Sequence, residues 1–298
     1  MNTNDSYYEV TIKCEEIVSE ALCTFLLENG ALGAVENDTF RNKNSFSIRA
    51  YFADEQSFLN IRDALKDYLK KLKENFGDFK SYKITRKSLA GKNYQDAHKK
   101  YFKPIKISKR IVVKPDYEHY NKKPHENVIE INPNMAFGIG SHETTKMCIQ
   151  YIDKLLEAAD DATGLRILDA GTGTAILAIA AAKLGAKNIY GFDIDDVACE
   201  IAKENVLING VADSVKIACH PIDKVKDKYD LVIANILSHI LLSMKDELKR
   251  VVKRGGKLIL SGILISQATG IIDGFTKIGF SLISKKEDGE WTALRLKR

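Results

Sequence analysis

Cysteine is scarce and unpatterned in this sequence. Cys14, Cys23, Cys148, Cys199 and Cys219 are odd in number and never stand in C-x-x-C spacing. That argues against a disulfide framework or a zinc cluster and leaves buried, reduced thiols as the expectation. Long apolar runs are missing too. The longest, around Ala175–Ala182 and Lys257–Ile265, are far too short to span a bilayer, so no membrane partner is expected. The opening Met1-Asn2-Thr3-Asn4-Asp5-Ser6 carries no basic segment followed by an apolar one. No secretory leader is therefore read, and the expected location is cytoplasmic. Internal repeats and low-complexity segments are absent. A net charge of +5 permits an acidic or RNA-associated partner without demanding one.

What is present suits about two domains: 298 residues, 45% of them hydrophobic and 29% charged. The first third reads strand, helix, strand, strand, helix, strand. Tyr7–Lys13 alternates apolar and polar residues. Glu15–Glu28 places Ile17, Val18, Ala21, Leu22, Phe25 and Leu26 at helical spacing, ended by Asn29-Gly30. Ala31–Glu36 and Ser45–Phe52 read as strands joined by the turn-rich Asn37–Asn44. Phe58, Leu59, Ile61, Leu65, Leu69 and Leu72 mark a second helix, and Phe79–Thr85 a last strand. This is the split βαβ plan of a small ferredoxin-like α+β domain, expected over residues 1–85. Residues 86–104 form a basic connector, with a helix expected over Asn93–Phe102 and ended by Pro104.

From residue 105 to 298 short apolar strands alternate with helices. Arg166–Ala170, Asn188–Asp193, Val215–Cys219, Tyr229–Ala234 and Lys257–Gly262 read as strands. Helices fit at Ala175–Leu184, Asp196–Leu207, Leu237–Val252 and Gln267–Lys277. The alternation predicts an α/β fold with a mostly parallel sheet. Phe280–Lys285 and Trp291–Lys297 then form a hairpin across Glu287-Asp288-Gly289, which makes one strand antiparallel. The total is a seven-stranded, Rossmann-like sheet.

Ile167-Leu168-Asp169-Ala170-Gly171-Thr172-Gly173-Thr174 lies between a strand and a helix, where open α/β sheets bind ligands. Gly171 and Gly173 let backbone approach a ligand with no Cβ in the way. A dinucleotide loop needs a third glycine where Ile176 stands, and no G-K-[ST] follows for a Walker site. A carboxylate at Asp169 is awkward beside a pyrophosphate but suits the positive amino and sulfonium groups of S-adenosylmethionine. Asp193 ends the next strand, some twenty positions on, where an acid bonds ribose hydroxyls. Its competing role as a helix N-cap falls better to Asp195 or Asp196. Asn235, after the fourth strand, is positioned either to accept a hydrogen bond from an incoming amine or to cap a helix. No aromatic residue flanks it for stacking a nucleobase, since Ile236, Leu237 and Ser238 follow.

The segment Asn132-Pro133-Asn134-Met135-Ala136-Phe137-Gly138-Ile139-Gly140-Ser141-His142-Glu143-Thr144-Thr145 closely resembles the signature of bacterial ribosomal protein methyltransferases of the PrmA type. Tyr101-Phe102-Lys103-Pro104, Ala234-Asn235-Ile236-Leu237, Ser261-Gly262-Ile263-Leu264 and Gly289-Glu290-Trp291-Thr292-Ala293-Leu294 resemble that family's other motifs, so the likeness spans nearly the whole chain. Gly138-Ile139-Gly140-Ser141-His142 departs from the family's G-T-G-T-H, and Ile139 lacks the hydroxyl. The resemblance implies a class I methyltransferase domain using S-adenosylmethionine, preceded by a substrate-recognition domain. It further implies that protein eleven of the large ribosomal subunit is methylated on lysine side chains and an α-amine. By similarity Thr145, Gly171, Gly173, Asp193 and Asn235 would hold the donor, with Phe137 and Gly138 in a covering loop. No catalytic base is assigned: His142 reads as a first-turn helix residue behind a Ser141 cap at least as readily. The remaining histidines have no metal-ligand spacing, so no metal is expected. Direct RNA contact is permitted and not required.

Overall fold

In the computed structural model, residues 6–15, 18–31, 33–37, 46–75, 79, 81–90, 103–131 and 143–298 are described. The connector helix expected over 93–102, most of the turn at 37–44, and Phe137, Gly138 and His142 lie outside them. The chain divides into two compact units, Met1–Tyr101 and Phe102–Arg298.

In the first unit the order is β1 (Ser6–Cys14), α1 (Ser19–Glu28), β2 (Gly33–Asn37), β3 (Phe46–Phe52), α2 (Glu55–Asn75) and β4 (Lys83–Ala90). The sheet runs β2-β3-β1-β4, every neighbouring pair antiparallel. Val10 and Ile12 on β1 and Ile48, Ala50 and Phe52 on β3 turn one face to the core, as a period of two requires. Leu22 and Leu26 of α1 and Phe58, Leu65 and Leu69 of α2 cover it. Asp54 starts α2 by accepting from Ser57 N at 2.7 Å. The last strand begins at Lys83, later than its apolar start suggested. Phe79 is a buried plug ahead of it, and the polar run from Lys83 is drawn into the sheet by pairing with Ser6–Lys13 of β1.

The second unit opens with β5 (Ile105–Lys106), β6 (Ile111–Pro115) and β7 (Asn127–Ile131), a small three-stranded sheet that the sequence pattern leaves unassigned. There follow α3 (Glu143–Glu157), β8 (Arg166–Ala170), α4 (Ile176–Lys183), β9 (Asn188–Asp193), α5 (Asp196–Ile208), β10 (Val215–Cys219) and β11 (Tyr229–Asn235). The chain ends with α6 (Ser238–Ser243), α7 (Lys245–Val251), β12 (Val252–Leu264), α8 (Ala268–Lys277), β13 (Ser281–Asp288) and β14 (Trp291–Lys297). The single helix expected over 237–252 is two, because Met244 leaves helical geometry between them.

The large sheet has the order β10-β9-β8-β11-β12-β14-β13. Its first five strands are parallel and β14 is antiparallel to both neighbours. Strand order reverses between β8 and β11, the switch point where ligands of such sheets bind. Alternate residues feed two cores. Ile167, Ile233, Ile259 and Ala293 pack under α3 and α4, while Leu168, Val232, Leu258 and Leu294 face the α6–α8 side. Helix α4 is buried along nearly its whole length, which explains why Ile176–Ala182 shows no polar stripe.

Asn209, at the end of α5, ties β7 to this framework. It accepts from Glu130 N at 2.9 Å and donates to Glu130 O at 2.7 Å, replacing a strand neighbour for that peptide. Asn209→Ala is expected to cost about 1–3 kcal/mol, the penalty for stranding shielded backbone groups. Urea unfolding of the full chain followed by tryptophan fluorescence checks this, and an unchanged midpoint would refute the role.

Candidate functional site

The turn after β8 is built on left-handed backbone. Gly171, Gly173 and Ala175 have φ of 71°, 53° and 62°. At Gly171 a Cβ would stand 2.7 Å from Ile236 Cγ2, so the glycine is required for space as well as for conformation. Gly171 N and Thr172 N both donate to Phe192 O at 2.9 Å, fastening the loop to the end of β9. On the other side Gly262, at φ 77°, admits the backbone of Ile236. A Cβ there would fall 2.5 Å from Ile236 O.

Asp169 does not present its carboxylate to the cleft surface, as its motif position suggested. It is 1% exposed, and Oδ2 accepts from Thr172 Oγ1 at 2.8 Å and Ala178 N at 3.2 Å. It thus fixes the loop to the first turn of α4. Its Oδ1 is shielded and has no partner among the described residues. Burial, with the nearby charge of Asp193 adding to it, pushes the carboxyl up to about 7 against the pull of those hydrogen bonds.

Asp193 reaches back across the loop. Its Oδ2 accepts from Gly173 N at 2.9 Å, and its Oδ1 from Ile194 N at 2.8 Å and Asp195 N at 3.3 Å. Asp195 is the N-cap of α5, accepting from Val197 N at 2.9 Å, which leaves Asp193 free of that duty. On the far side of the loop, Asn235 Nδ2 donates to Thr145 Oγ1 at 3.4 Å. The helix beyond is entered through Leu237, so Asn235 is not its cap. The expected residues therefore meet in two pairs, Gly173 with Asp193 and Asn235 with Thr145. The closeness of Gly171 to Ile236 brings the pairs together.

Two residues of the site carry no motif. Asn205 of α5 is fully buried and donates to Thr174 O at 3.0 Å, holding the glycine loop from behind. Its spacing of four from Asn209, one amide per turn on one helix face, was a usable signal. Ile194, just past Asp193, is 77% exposed, an apolar side chain left open at the strand ends. The cysteine expectation needs one correction: Cys219 is exposed, and its thiol donates to Asp196 Oδ1 at 3.0 Å. No group of side chains able to hold a metal ion occurs among the described residues.

The seven-stranded mixed sheet in the order β10-β9-β8-β11-β12-β14-β13, with a glycine loop at its switch point, has the α/β methyltransferase fold. The chain is similar to a crystal structure of ribosomal protein L11 methylase from Lactobacillus delbrueckii subsp. bulgaricus. The TM-score is 0.61 at 32% identity, covering 66% of this chain and 99% of that one. The ribosomal protein L11 methyltransferase of Geotalea daltonii is 33% identical, over 98% of this chain and 98% of that protein. The one from Clostridium perfringens is 37% identical over 83% of this chain and 77% of its own length. The chain belongs to the ribosomal protein L11 methyltransferase (PrmA) family, whose model it matches over residues 6–298.

Proposed function

We propose that the chain transfers methyl groups from S-adenosylmethionine to amino groups of ribosomal protein L11, on lysine side chains and the α-amine. In this reading residues 105–298 are the catalytic domain. Residues 1–85 are a ferredoxin-like domain that recognises the substrate, residues 86–104 connect the two, and the protein works in the cytoplasm. The observation that carries the chemistry is the pairing of Asn235 with Thr145. With Nδ2 engaged, the acceptor Oδ1 is the end of the amide left for an incoming amine.

The residues present fit the donor. Gly171 and Gly173 offer backbone without side chains, and Asp169 holds an orphaned, buried oxygen beneath them. A carboxylate has about four lone-pair sites, and Asp193 spends three on backbone donors. One remains for a ribose hydroxyl. Ile194 gives an apolar surface against which an adenine ring can lie. When bound, the donor supplies an electrophilic methyl group on a positively charged sulfur.

The protein's own task is to deliver a neutral nitrogen in line with that methyl. A lysine with a pKa near 10.4 costs about 4.6 kcal/mol to deprotonate at pH 7. Removing the amine from water offsets part of that, because burial disfavours its charged form. Asn235 Oδ1 accepts one N–H and thereby aims the lone pair. Positioning of this kind is worth several kcal/mol, so solvent suffices to take the proton and no dedicated base is needed.

The experiment is to incubate the full chain with methyl-labelled S-adenosylmethionine, L11 and ribosomal RNA together, then map the label by peptide mass spectrometry. Label on L11 amino groups is expected; label on RNA or on another protein would overturn the substrate assignment. Asp193→Ala is expected to weaken donor binding by about ten- to a hundredfold, the worth of a charged hydrogen bond. Turnover at saturating donor should change far less. A titration showing undiminished donor affinity would remove Asp193 from the site.

A further inference from the structure

The face of the large sheet that lies under α3 ends in a strip of cations with no carboxylate partner. Lys257 of β12 stands directly across from Lys297 of β14. Both share the α3 side with Ile259 and Ala293, because alternate residues of these strands feed the opposite core. Arg295 precedes Lys297 by two residues on that face, about 7 Å along the strand. Its guanidinium lies 5.9 Å from the ring centroid of Tyr151, and its Nε is shielded with no hydrogen-bond partner. Lys286 of β13 approaches the same ring, Nζ to centroid 4.9 Å, and donates to Gln150 Oε1 at 2.7 Å. One helical turn beyond Gln150 is the exposed Lys154. Partial burial, and then the charge of Lys154, hold the Lys286 ammonium below its usual range.

None of these five residues takes part in a salt bridge among the described residues. Two of the neighbouring acids are paired with other cations, Asp153 with Arg110 and Glu287 with Lys285. A fold that keeps two half-buried cations against one aromatic ring, and lines up three exposed ones beside them, accepts a mutual repulsion that the Tyr151 ring and Gln150 offset only in part. An external anion relieves it.

We propose that Lys154, Lys257, Lys286, Arg295 and Lys297 form a docking strip for the phosphate backbone of RNA. Cations carried side by side on three neighbouring strands and the helix over them offer a run of positive charge that suits a repeating chain of phosphates. Isolated carboxylates would want a forked, open guanidinium, and that of Arg295 is partly covered. The choice of RNA among polyanions rests on the ribosomal substrate proposed above. None of the five residues belongs to the glycine loop or the Asn235–Thr145 pair, so docking leaves the methyl-transfer residues free.

The test is fluorescence anisotropy of a short labelled single-stranded RNA with the full chain, as a function of salt. Wild type is expected to bind with a steep salt dependence. The triple variant Lys154→Ala, Lys257→Ala, Lys297→Ala, whose sites are all exposed, should lose at least about tenfold in affinity at low salt. Its log–log salt slope should shrink by about 2, near 0.7 for each phosphate no longer neutralised. A control triple on α2, Lys70→Ala, Lys71→Ala, Lys73→Ala, should leave both unchanged. The proposal is overturned if wild type shows no salt-sensitive binding or if the sheet triple keeps its slope. It is equally overturned if polyglutamate competes as well as RNA does. Methyl transfer to L11, assayed in parallel, tests the catalytic reading separately, and the sheet triple is expected to leave it unchanged.

Discussion

Asn235→Ala is expected to lower kcat for methyl transfer by about a hundredfold while moving donor affinity much less. The scale is what misplacing a reacting atom by about 1 Å costs. The asymmetry follows from geometry. Gly173 and Asp193 are bound to each other on one side of the glycine loop, whereas Asn235 is fixed through Thr145 on the other. On the proposed reading, removing the amide leaves the Gly173–Asp193 pair intact and takes away the group that aims the incoming nitrogen. Thr145→Val should reproduce part of the effect, because Asn235 then loses the bond that orients it. Single-turnover rates at saturating donor, set beside donor titrations, separate the two quantities. A variant that loses donor affinity and keeps its rate would place Asn235 on the donor and not on the amine.

Asp169→Asn is expected to stabilise the protein at pH 7.5 and to weaken donor binding at the same pH. Burial raises this carboxyl from its ordinary range to about 7. A group whose folded pKa lies above its unfolded one favours folding most below the unfolded value, near 4. That contribution is lost progressively as pH rises to about 7 and is fully gone above it. A rise of some three pH units corresponds to at most about 4 kcal/mol. Asparagine removes the titration, and its carbonyl still accepts from Thr172 and Ala178. The wild-type decline in stability between pH 4.5 and 7.5 should therefore be shallower in the variant. A cationic donor bound above the loop favours the ionised acid, so its affinity should fall on substitution even as the fold gains. Parallel urea titrations at the two pH values, with and without donor, check both halves. Identical pH slopes for the two proteins would show that Asp169 is not the buried titrating group.

Much of the second unit was legible because its parallel strands are short apolar-rich runs bounded by turn residues. Arg166–Ala170, Asn188–Asp193 and Val215–Cys219 begin and end where the pattern placed them. What was missed has physical causes. β4 carries Lys83, Thr85 and Lys87 and is held by its partner strand, so its own residues show no apolar alternation. β5 is only two residues long, β6 and β7 stand outside the strand–helix alternation that marks the later strands, and Met244 breaks a helix with neither glycine nor proline. In the site, the residue types were readable but one direction was not. Asp169 shares the sheet face of Ile167, which points beneath α3 and α4 and away from solvent. Strand alternation contained that information, and the motif alone did not.

Isothermal calorimetry of the purified full chain with S-adenosylmethionine reaches the core of the account most directly. The geometry of Gly171, Gly173 and Asp193 predicts one site per chain, saturable, and weakened by Asp193→Ala. No heat with S-adenosylmethionine, together with clear binding of a nicotinamide dinucleotide, would contradict it.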